Sequence, residues 1–318
     1  MSEIGKDIIK AKQLLEKGNL VAIPTETVYG LAGNALNPTA VVKIFTVKNR
    51  PQFDPLIVHV SNLDQAKNFV ESIPEKATKL AELFWPGPLT LLLKKKPIIP
   101  DLVTAGMDTV GIRCPDHALT QSLLQSLPFP LAAPSANPFG YVSPTQPSHV
   151  NDQLGNLIDY ILDGGACKVG IESTIVGFEN EEAIVFRLGG LSIEAIEREI
   201  GDVTIQLNSS SNPKAPGQLK SHYAPQKKMV IGNLPNLIKK YYAAKVGILA
   251  FSRNMDGIEP EHQIILSKSQ NMEEAAQRLF SALRELDKKE IEIILAEWVP
   301  EIGLGKAIND RLNRAAAH

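Results

Sequence analysis

Cysteine is scarce in this chain. Only Cys114 and Cys167 occur in 318 residues, too few for the disulfide framework of a small secreted domain. Both read as free thiols in a reducing compartment. Long apolar runs are missing too, since none approaches the ~20 residues that a membrane span needs. The opening stretch MSEIGKDIIKAKQLLEKG is amphipathic and carries both charge signs, which does not fit a secretory signal. These absences predict a soluble, cytoplasmic protein. Excess charge of one sign is also lacking. Charged residues make up 21% and the net charge is -2, which argues against capture of nucleic acid by a whole-molecule field and leaves only a local basic groove.

Several standard sites are absent as well. Gly303-Leu304-Gly305-Lys306 approaches a phosphate-binding loop, but Pro300 stands where the first glycine belongs. The same segment fails the dinucleotide fingerprint, because Ile308 occupies the last glycine position. There is no C-x-x-C, H-E-x-x-H or EF-hand loop, and the six histidines are scattered. These gaps argue against a structural metal. The missing G-x-S-x-G disfavours an α/β-hydrolase. A nucleotide, if bound, is held by a less familiar route.

What is present begins with enough apolar residue, 44%, to bury one large or two unequal domains. Helical spacing from Ile8 to Glu16 ends at Gly18-Asn19, and a short apolar strand follows over Leu20–Ile23. Asn37-Pro38 opens a helix running to about Val47. Leu56–Val60 reads as a buried strand, with Ser61 as cap of the next helix. Further helices are predicted over Pro74–Phe84, His117–Leu127 and Ser192–Ile200. Further strands are predicted over Leu89–Leu93, Val110–Arg113, Leu131–Ala133, Tyr160–Leu162, Thr174–Phe178 and Ile184–Leu188. After Ala133 the chain reads as a long polar loop. This interleaving predicts an α/β fold with a mixed sheet.

Composition changes near Asn208. NSSSNPKAPGQLKSHYAPQ is rich in Ser, Asn, Pro and Gly and has no apolar period, so it reads as a linker. Beyond it, strands at Met229–Ile231, Val246–Phe251, Gln263–Leu266 and Ile291–Leu295 alternate with helices, of which Met272–Leu286 is the best defined. The expected division is 1–205, a linker over 206–228, and a small Rossmann-like domain over 229–318.

Three segments join polar groups to the ends of expected strands, where α/β folds place ligands. Pro24-Thr25-Glu26-Thr27-Val28-Tyr29-Gly30-Leu31-Ala32 brings hydroxyls and glycine, and would equally suit a turn with capping threonines. Lys48-Asn49-Arg50-Pro51, followed by Asp54 and His59, sets a point charge beside a planar fork suited to phosphate. The same cations could simply offset a helix dipole. Ala133-Pro134-Ser135-Ala136-Asn137-Pro138, with Gly140 and Ser143-Pro144-Thr145, offers neutral hydrogen-bonding groups for a phosphate or base, or ordinary turn chemistry.

Together and in this order, the segments resemble the YrdC-type threonylcarbamoyl-AMP synthases. That family carries a K-x-R…S-x-N signature, matched here by Lys48, Arg50, Ser135 and Asn137. PTETVYGL, PLIVHV, WPGPLT, G-I-R and E-S-T-I-V also look like family elements. The likeness covers about Leu20–Gly190. The linker with Ser221-His222-Tyr223-Ala224-Pro225 and the small second domain resemble the longer, two-domain branch. The implied fold is a YrdC-like twisted mixed sheet with helices, joined to the Rossmann-like domain.

The resemblance implies synthesis of L-threonylcarbamoyladenylate and pyrophosphate from L-threonine, bicarbonate and ATP, for N6-threonylcarbamoyladenosine in tRNA. It implies threonine contacts from Thr27, His59, Arg113, Ala133 and Ser173. It implies ATP contacts from Lys48, Arg50, Asp54, Thr109, Ser135, Asn137, Ser143, Arg187 and Tyr223, with the His222-Tyr223 pair folding over the nucleotide. Lys48 and Arg50 would stabilise charge, and no covalent nucleophile is implied. Many relatives carry asparagine where Asp54 stands. A carboxylate repels phosphate unless a cation intervenes, so Asp54 contacts magnesium or ribose, or stays off ATP. Mg²⁺ is expected with ATP, without assigned protein ligands. A downstream threonylcarbamoyl transferase acting on tRNA is the expected consumer, and direct tRNA contact stays open. Two other readings remain. One is a module that binds double-stranded RNA or tRNA without ATP turnover. The other is a carbamoyl-transfer enzyme on a similar domain, which the two cysteines disfavour because its zinc fingers need more.

Overall fold

A computed structural model describes residues 2–207, 215–219 and 221–317. The predicted linker residues 208–214 and 220 lie outside the described residues.

Eleven strands form one sheet among the described residues. In chain order they are β1 (Glu3–Gly5), β2 (Val21–Ile23), β3 (Gly30–Asn34), β4 (Ile57–His59), β5 (Leu89–Lys94), β6 (Thr109–Arg113), β7 (Leu131–Ala132), β8 (Tyr160–Leu162), β9 (Thr174–Glu179), β10 (Glu182–Arg187) and β11 (Thr204–Ile205). Their spatial order is β1-β8-β2-β3-β7-β4-β6-β5-β9-β10-β11. β4 runs parallel to β6, and β7 runs antiparallel to β4, so the sheet is mixed as expected. A second sheet holds β12 (Lys228–Ile231), β13 (Val246–Ala250), β14 (Gln263–Ile265) and β15 (Ile293–Ala296) in the order β12-β15-β13-β14. All its pairings are parallel, as a small Rossmann-like unit requires.

The helix Pro38–Lys48 shows how local chemistry positions the site. The Asn37 side chain accepts from the amides of Thr39 and Ala40, and proline takes the first turn. Ala40, Val41, Ile44 and Phe45 are buried on one face. At the other end Asn49 turns left-handed at φ 50°. The Asn49 amide then bonds to Thr46 O at 3.1 Å and the Arg50 amide to Phe45 O at 2.9 Å. This paired closure is the Schellman geometry. It stops the helix between Lys48 and Arg50 and sends their side chains to different places.

Some expectations need correction. The cap after β4 is Asn62, which accepts from Gln65 N at 2.8 Å, while Ser61 N donates to the Gln65 side chain. β3 is not expected from sequence, because Gly-Leu-Ala-Gly-Asn has weak strand propensity. Packing decides it. A Cβ at Gly33 would stand 2.9 Å from Leu20 Cδ2 and 3.3 Å from Ile44 Cδ1, so the small residue lets the helix sit close on the strand. The polar stretch after Ala133 contains a helix, Pro147–Leu154, with proline in its first turn. A further helix, Gly305–Ala315, is mostly buried.

The two units share a core. One apolar cluster contains Leu31, Val58 and Ile112 from the large sheet together with Tyr223, Phe280 and Leu312. Polar contacts also cross between them. Tyr141 Oη donates to Asp287 Oδ2 at 2.6 Å, and Arg284 donates to the carbonyls of Val142 and Ser143. No helix among the described residues is long and apolar enough to cross a membrane.

Candidate active site

β4 and β6 set the floor of the site. Their parallel register pairs His59 with Arg113, so the two side chains emerge side by side where the strands end. β7 leaves the sheet next to them, and the Ala133 amide bonds to Ile57 O at 3.1 Å. The loop beyond Ala133 is held from two sides. Tyr29 N bonds to Pro144 O and Leu31 N to Pro134 O. The first and third polar segments are therefore one wall.

Lys48 joins the second segment to that wall. Its ammonium donates to Ser135 O at 2.6 Å and to Asn137 O. It is 1% exposed. Burial, then the neighbouring Arg50, pulls its pKa well below the usual lysine value. Arg50 takes the other direction. Its Nε donates to Asp54 O at 3.1 Å, its Nη2 donates to Pro55 O at 2.8 Å, and the Asp54 carboxylate lies 2.9 Å from Nη2. The fork is thus oriented before any ligand arrives. Across the site, Arg187 donates to Ser173 O and Ser173 Oγ, both at 2.9 Å, and to Pro216 O at 3.2 Å. Burial lowers its pKa to about 10, which leaves it charged at neutral pH.

These groups surround a cavity of about 500 Å³, part of it open to solvent. Of the residues expected from sequence, Arg50, His59, Arg113, Ala133, Ser135, Arg187, His222 and Tyr223 line it. The others do not. Lys48 is the staple behind the wall, because the helix end turns its chain under the loop; it does not face the cavity as a free charge. Asp54 is fully buried behind Arg50, which answers the repulsion problem by pairing the carboxylate with a cation. Thr27 Oγ1 lies 2.8 Å from Thr25 Oγ1, next to the lining Val28. Ser173 holds Arg187. Asn137 donates to Pro138 O and Tyr141 O. Ser143 donates to Glu172 Oε1 at 2.6 Å. Thr109 lies four residues from Arg113 along β6 and lines a separate cavity with Gly177 and Phe186.

A strap from the predicted linker forms one side of the cavity. Pro216, Gly217, His222 and Tyr223 all line it. Gly217 has φ 82°, and a Cβ there would come within 2.7 Å of Tyr223 Oη. Tyr223 itself has φ 64°, a strained conformation that persists only where surroundings enforce it. They do so here: its ring stacks on Phe280 at 5.5 Å and contacts His222 at 4.1 Å.

Sequence reasoning assigned no role to Glu26, Glu172 or Arg311. Glu26 Oε1 is 2.7 Å from Arg113 Nη2, and its other oxygen accepts from Asp116 N at 3.0 Å. Glu172 lines the cavity beside Arg187. The available signal was a carboxylate inside an otherwise small or apolar motif, in PTET and in EST, where a charge needs a buried partner.

Three polar atoms of residues that line the cavity have no hydrogen-bond partner among the described residues: His59 Nδ1, His222 Nδ1 and Arg113 Nε. Buried polar atoms are nearly always paired, so this grouping marks a place built for a polar ligand. Burial, followed by Arg113, pushes the His59 pKa down to about 3. Burial, followed by Arg50, holds His222 well below its ordinary value of 6.5. Both imidazoles are neutral at pH 7. The unfolded chain therefore binds more protons between about pH 6.5 and 3, and the stability present above pH 6.5 is lost as pH falls through that window. Each histidine adds a slope of up to about 1.4 kcal/mol per pH unit. Urea unfolding between pH 7.5 and 5, above the carboxylate range, should show the decline, and a flat profile would contradict the buried neutral state.

Fold and cavity define a class: an α/β protein with an arginine-lined cavity beneath a strap drawn from between two units. Known proteins make the class specific. The family model for Sua5, YciO and YrdC, described as telomere recombination, matches residues 13–189. A second model, described as threonylcarbamoyl-AMP synthase, C-terminal domain, matches residues 191–317. The threonylcarbamoyl-AMP synthase of Pyrococcus abyssi is 39% identical, with 97% of this chain and 93% of the relative covered. That of Bacillus subtilis is 38% identical over 97% and 92%. The crystal structure of P. abyssi Sua5 complexed with L-threonine superimposes with a TM-score of 0.93 at 38% identity, over 99% of this chain and 97% of that one. The chain belongs to the two-domain threonylcarbamoyl-AMP synthase family.

Proposed function

We propose that this protein is a nucleotidyltransferase that forms L-threonylcarbamoyladenylate and pyrophosphate from L-threonine, bicarbonate and ATP. One observation carries the reading. Three oriented guanidiniums and a set of unpaired polar atoms meet in a single cavity, in a chain whose relative is described as a complex with L-threonine.

The chemistry follows from the placement. Threonine amine and bicarbonate give a carbamate with loss of water. A carbamate oxygen then attacks the α-phosphorus, and the bond to the β-phosphate oxygen breaks as pyrophosphate leaves. Arg113 suits the threonine carboxylate, because its fork can pair bidentately. Neutral His59 beside it accepts or donates a hydrogen bond without changing the charge. Arg50 and Arg187 offset the phosphates and the developing charge. Ser135 supplies a neutral contact for the nucleotide, and Asn137 braces the loop that carries it. The strap bearing Tyr223 excludes water from a labile carbamate and adenylate, and confinement supplies proximity.

Magnesium enters as MgATP. The nearby carboxylates do not fit a protein-made magnesium site: Asp54 is paired with Arg50, Glu26 with Arg113, and Glu172 with Arg311. Among the described residues no group of three potential ligands comes together. Phosphate oxygens and water suit the ion instead.

The RNA-module alternative lacks a supporting observation, because Arg50, Arg113 and Arg187 are buried rather than spread on an open face. We place the activity in the cytoplasm, consistent with the free buried Cys114 and Cys167, with a downstream transferase carrying the threonylcarbamoyl group to tRNA. The test is pyrophosphate release from ATP, scored separately for threonine and bicarbonate dependence, with serine replacing threonine as a probe of the pocket. Turnover should require both co-substrates. ATP turnover indifferent to either would overturn the reading.

A further inference from the structure

The helix Gly305–Ala315 reaches the cavity through one residue. Arg311 is fully buried, and it is the largest side chain with so little exposure among the described residues. Its Nε donates to Glu172 Oε2 at 2.9 Å, across 139 residues of chain. Its Nη2 donates to Leu188 O at 2.8 Å, and Nη1 to Asp310 at 2.7 Å. Its guanidinium carbon lies 4.9 Å from the centre of the Tyr223 ring. The same helix grips the strap nearby: Arg314 Nη1 donates to Leu219 O at 2.6 Å, and the Arg314 carbonyl accepts from His222 N at 3.3 Å.

Glu172 poses the problem that Arg311 solves. It is a carboxylate on the wall of a cavity that must admit phosphates. Ser143 donates to one of its oxygens, but a hydroxyl does not cancel a charge. Arg187 is committed to Ser173 and Pro216. Among the described residues, Arg311 is the cation that meets Glu172 directly. An unpaired carboxylate there would oppose every anion entering the site, in surroundings where charge is poorly screened.

We propose that Arg311 is a positioning residue for the nucleotide half of the site. It cancels the Glu172 charge and supports Tyr223 from beneath, so the second unit completes the first unit's cavity. This rests on the synthase reading above, and it assigns the Rossmann-like unit a part in ATP binding without contact with ATP. The hydrogen bonds and ion pairs described above run from this helix to Glu172, Leu188 and the strap rather than to His59 or Arg113.

The experiment uses the full-length protein and steady-state pyrophosphate release, with ATP and threonine varied separately. Wild-type activity that needs threonine and bicarbonate secures the synthase reading independently. Arg311→Met should raise the KM for ATP by about tenfold or more, since it exposes a buried partner charge. The KM for threonine should move less than about threefold. The decisive variant is Glu172→Gln combined with Arg311→Met, which removes both charges. It should recover most of the lost ATP affinity, and it carries the test if Arg311→Met alone does not fold. Arg311→Lys, which keeps the charge without the fork, should fall between the wild type and Arg311→Met. Equal rises in both KM values, or a double variant no better than Arg311→Met alone, would overturn the proposal and mark Arg311 as a packing residue. If the single variant cannot be made, a double variant with ATP KM raised about tenfold would do the same.

Discussion

Replacing Arg50 with alanine should lower ATP-dependent pyrophosphate release by about 10²–10³-fold, the scale for losing one oriented group that stabilises charge in a transition state. Arg50 meets the conditions for an effect that large. It lines the cavity, is 8% exposed, and is held in place by Asp54 O and Pro55 O. A surface cation would change activity far less, because solvent screens it. The substitution has a second consequence. Asp54 is fully buried and faces Arg50 at 2.9 Å, and breaking such a pair costs about 3–5 kcal/mol of stability. The two effects separate in Arg50→Ala combined with Asp54→Asn. Stability, read from thermal unfolding, should recover once the stranded carboxylate is gone. Activity should stay low. A double variant that regained activity would show that Arg50 matters only as a counter-ion to Asp54.

Arg113→Ala should act on the other substrate. Its loss should raise the threonine KM by about one to two orders of magnitude, the range for a charge-assisted pair with a carboxylate. The KM for ATP should change little. Glu26 stands to Arg113 as Asp54 stands to Arg50. It is 3% exposed and paired with Arg113 at 2.7 Å, so Arg113→Ala strands its charge. Pairing the substitution with Glu26→Gln isolates the threonine effect. Initial rates over a threonine titration, at saturating ATP and bicarbonate, provide the check. Equal losses towards both substrates would contradict a threonine-specific role.

These two experiments share a design feature of the site. Each of these lining arginines has a carboxylate associated with it: Asp54 for Arg50 and Glu26 for Arg113. Glu172 is different, since it lines the cavity itself and draws its cation from the second unit. The cavity therefore keeps cationic forks pointed inward while most of the balancing charge sits behind them. That arrangement suits a reaction among several anions, and it limits the cost of burying so many ions.

Much of this was legible in the order of residues. Apolar runs located β4, β6 and β9, because strands buried on both faces read as continuous hydrophobic segments. Asn37-Pro38 announced a helix start through capping chemistry, and the structure shows that cap. The K-x-R and S-x-N segments and the His222-Tyr223 pair lie in or against the walls of the arginine-lined cavity. β3 was hidden, because its glycines signal a turn until the neighbouring helix is known. The different paths of Lys48 and Arg50 were hidden for a related reason: two residues apart, they look like one cationic patch, and the left-handed Asn49 parts them. The Ser61 cap fell one residue short of Asn62, where either side chain was chemically suitable.

What the sequence determined alone is local or collective. Periodicity, caps and motif order depend on neighbours along the chain, and they sufficed for the α/β class, the two units and the family. Tertiary structure decided which charge meets which. Lys48 finds Ser135 across 87 residues, and Arg311 finds Glu172 across 139. Such pairings arise because burying an ion forces it to find an opposite charge or a carbonyl within reach, and reach is set by the packed sheet and helices rather than by spacing along the chain.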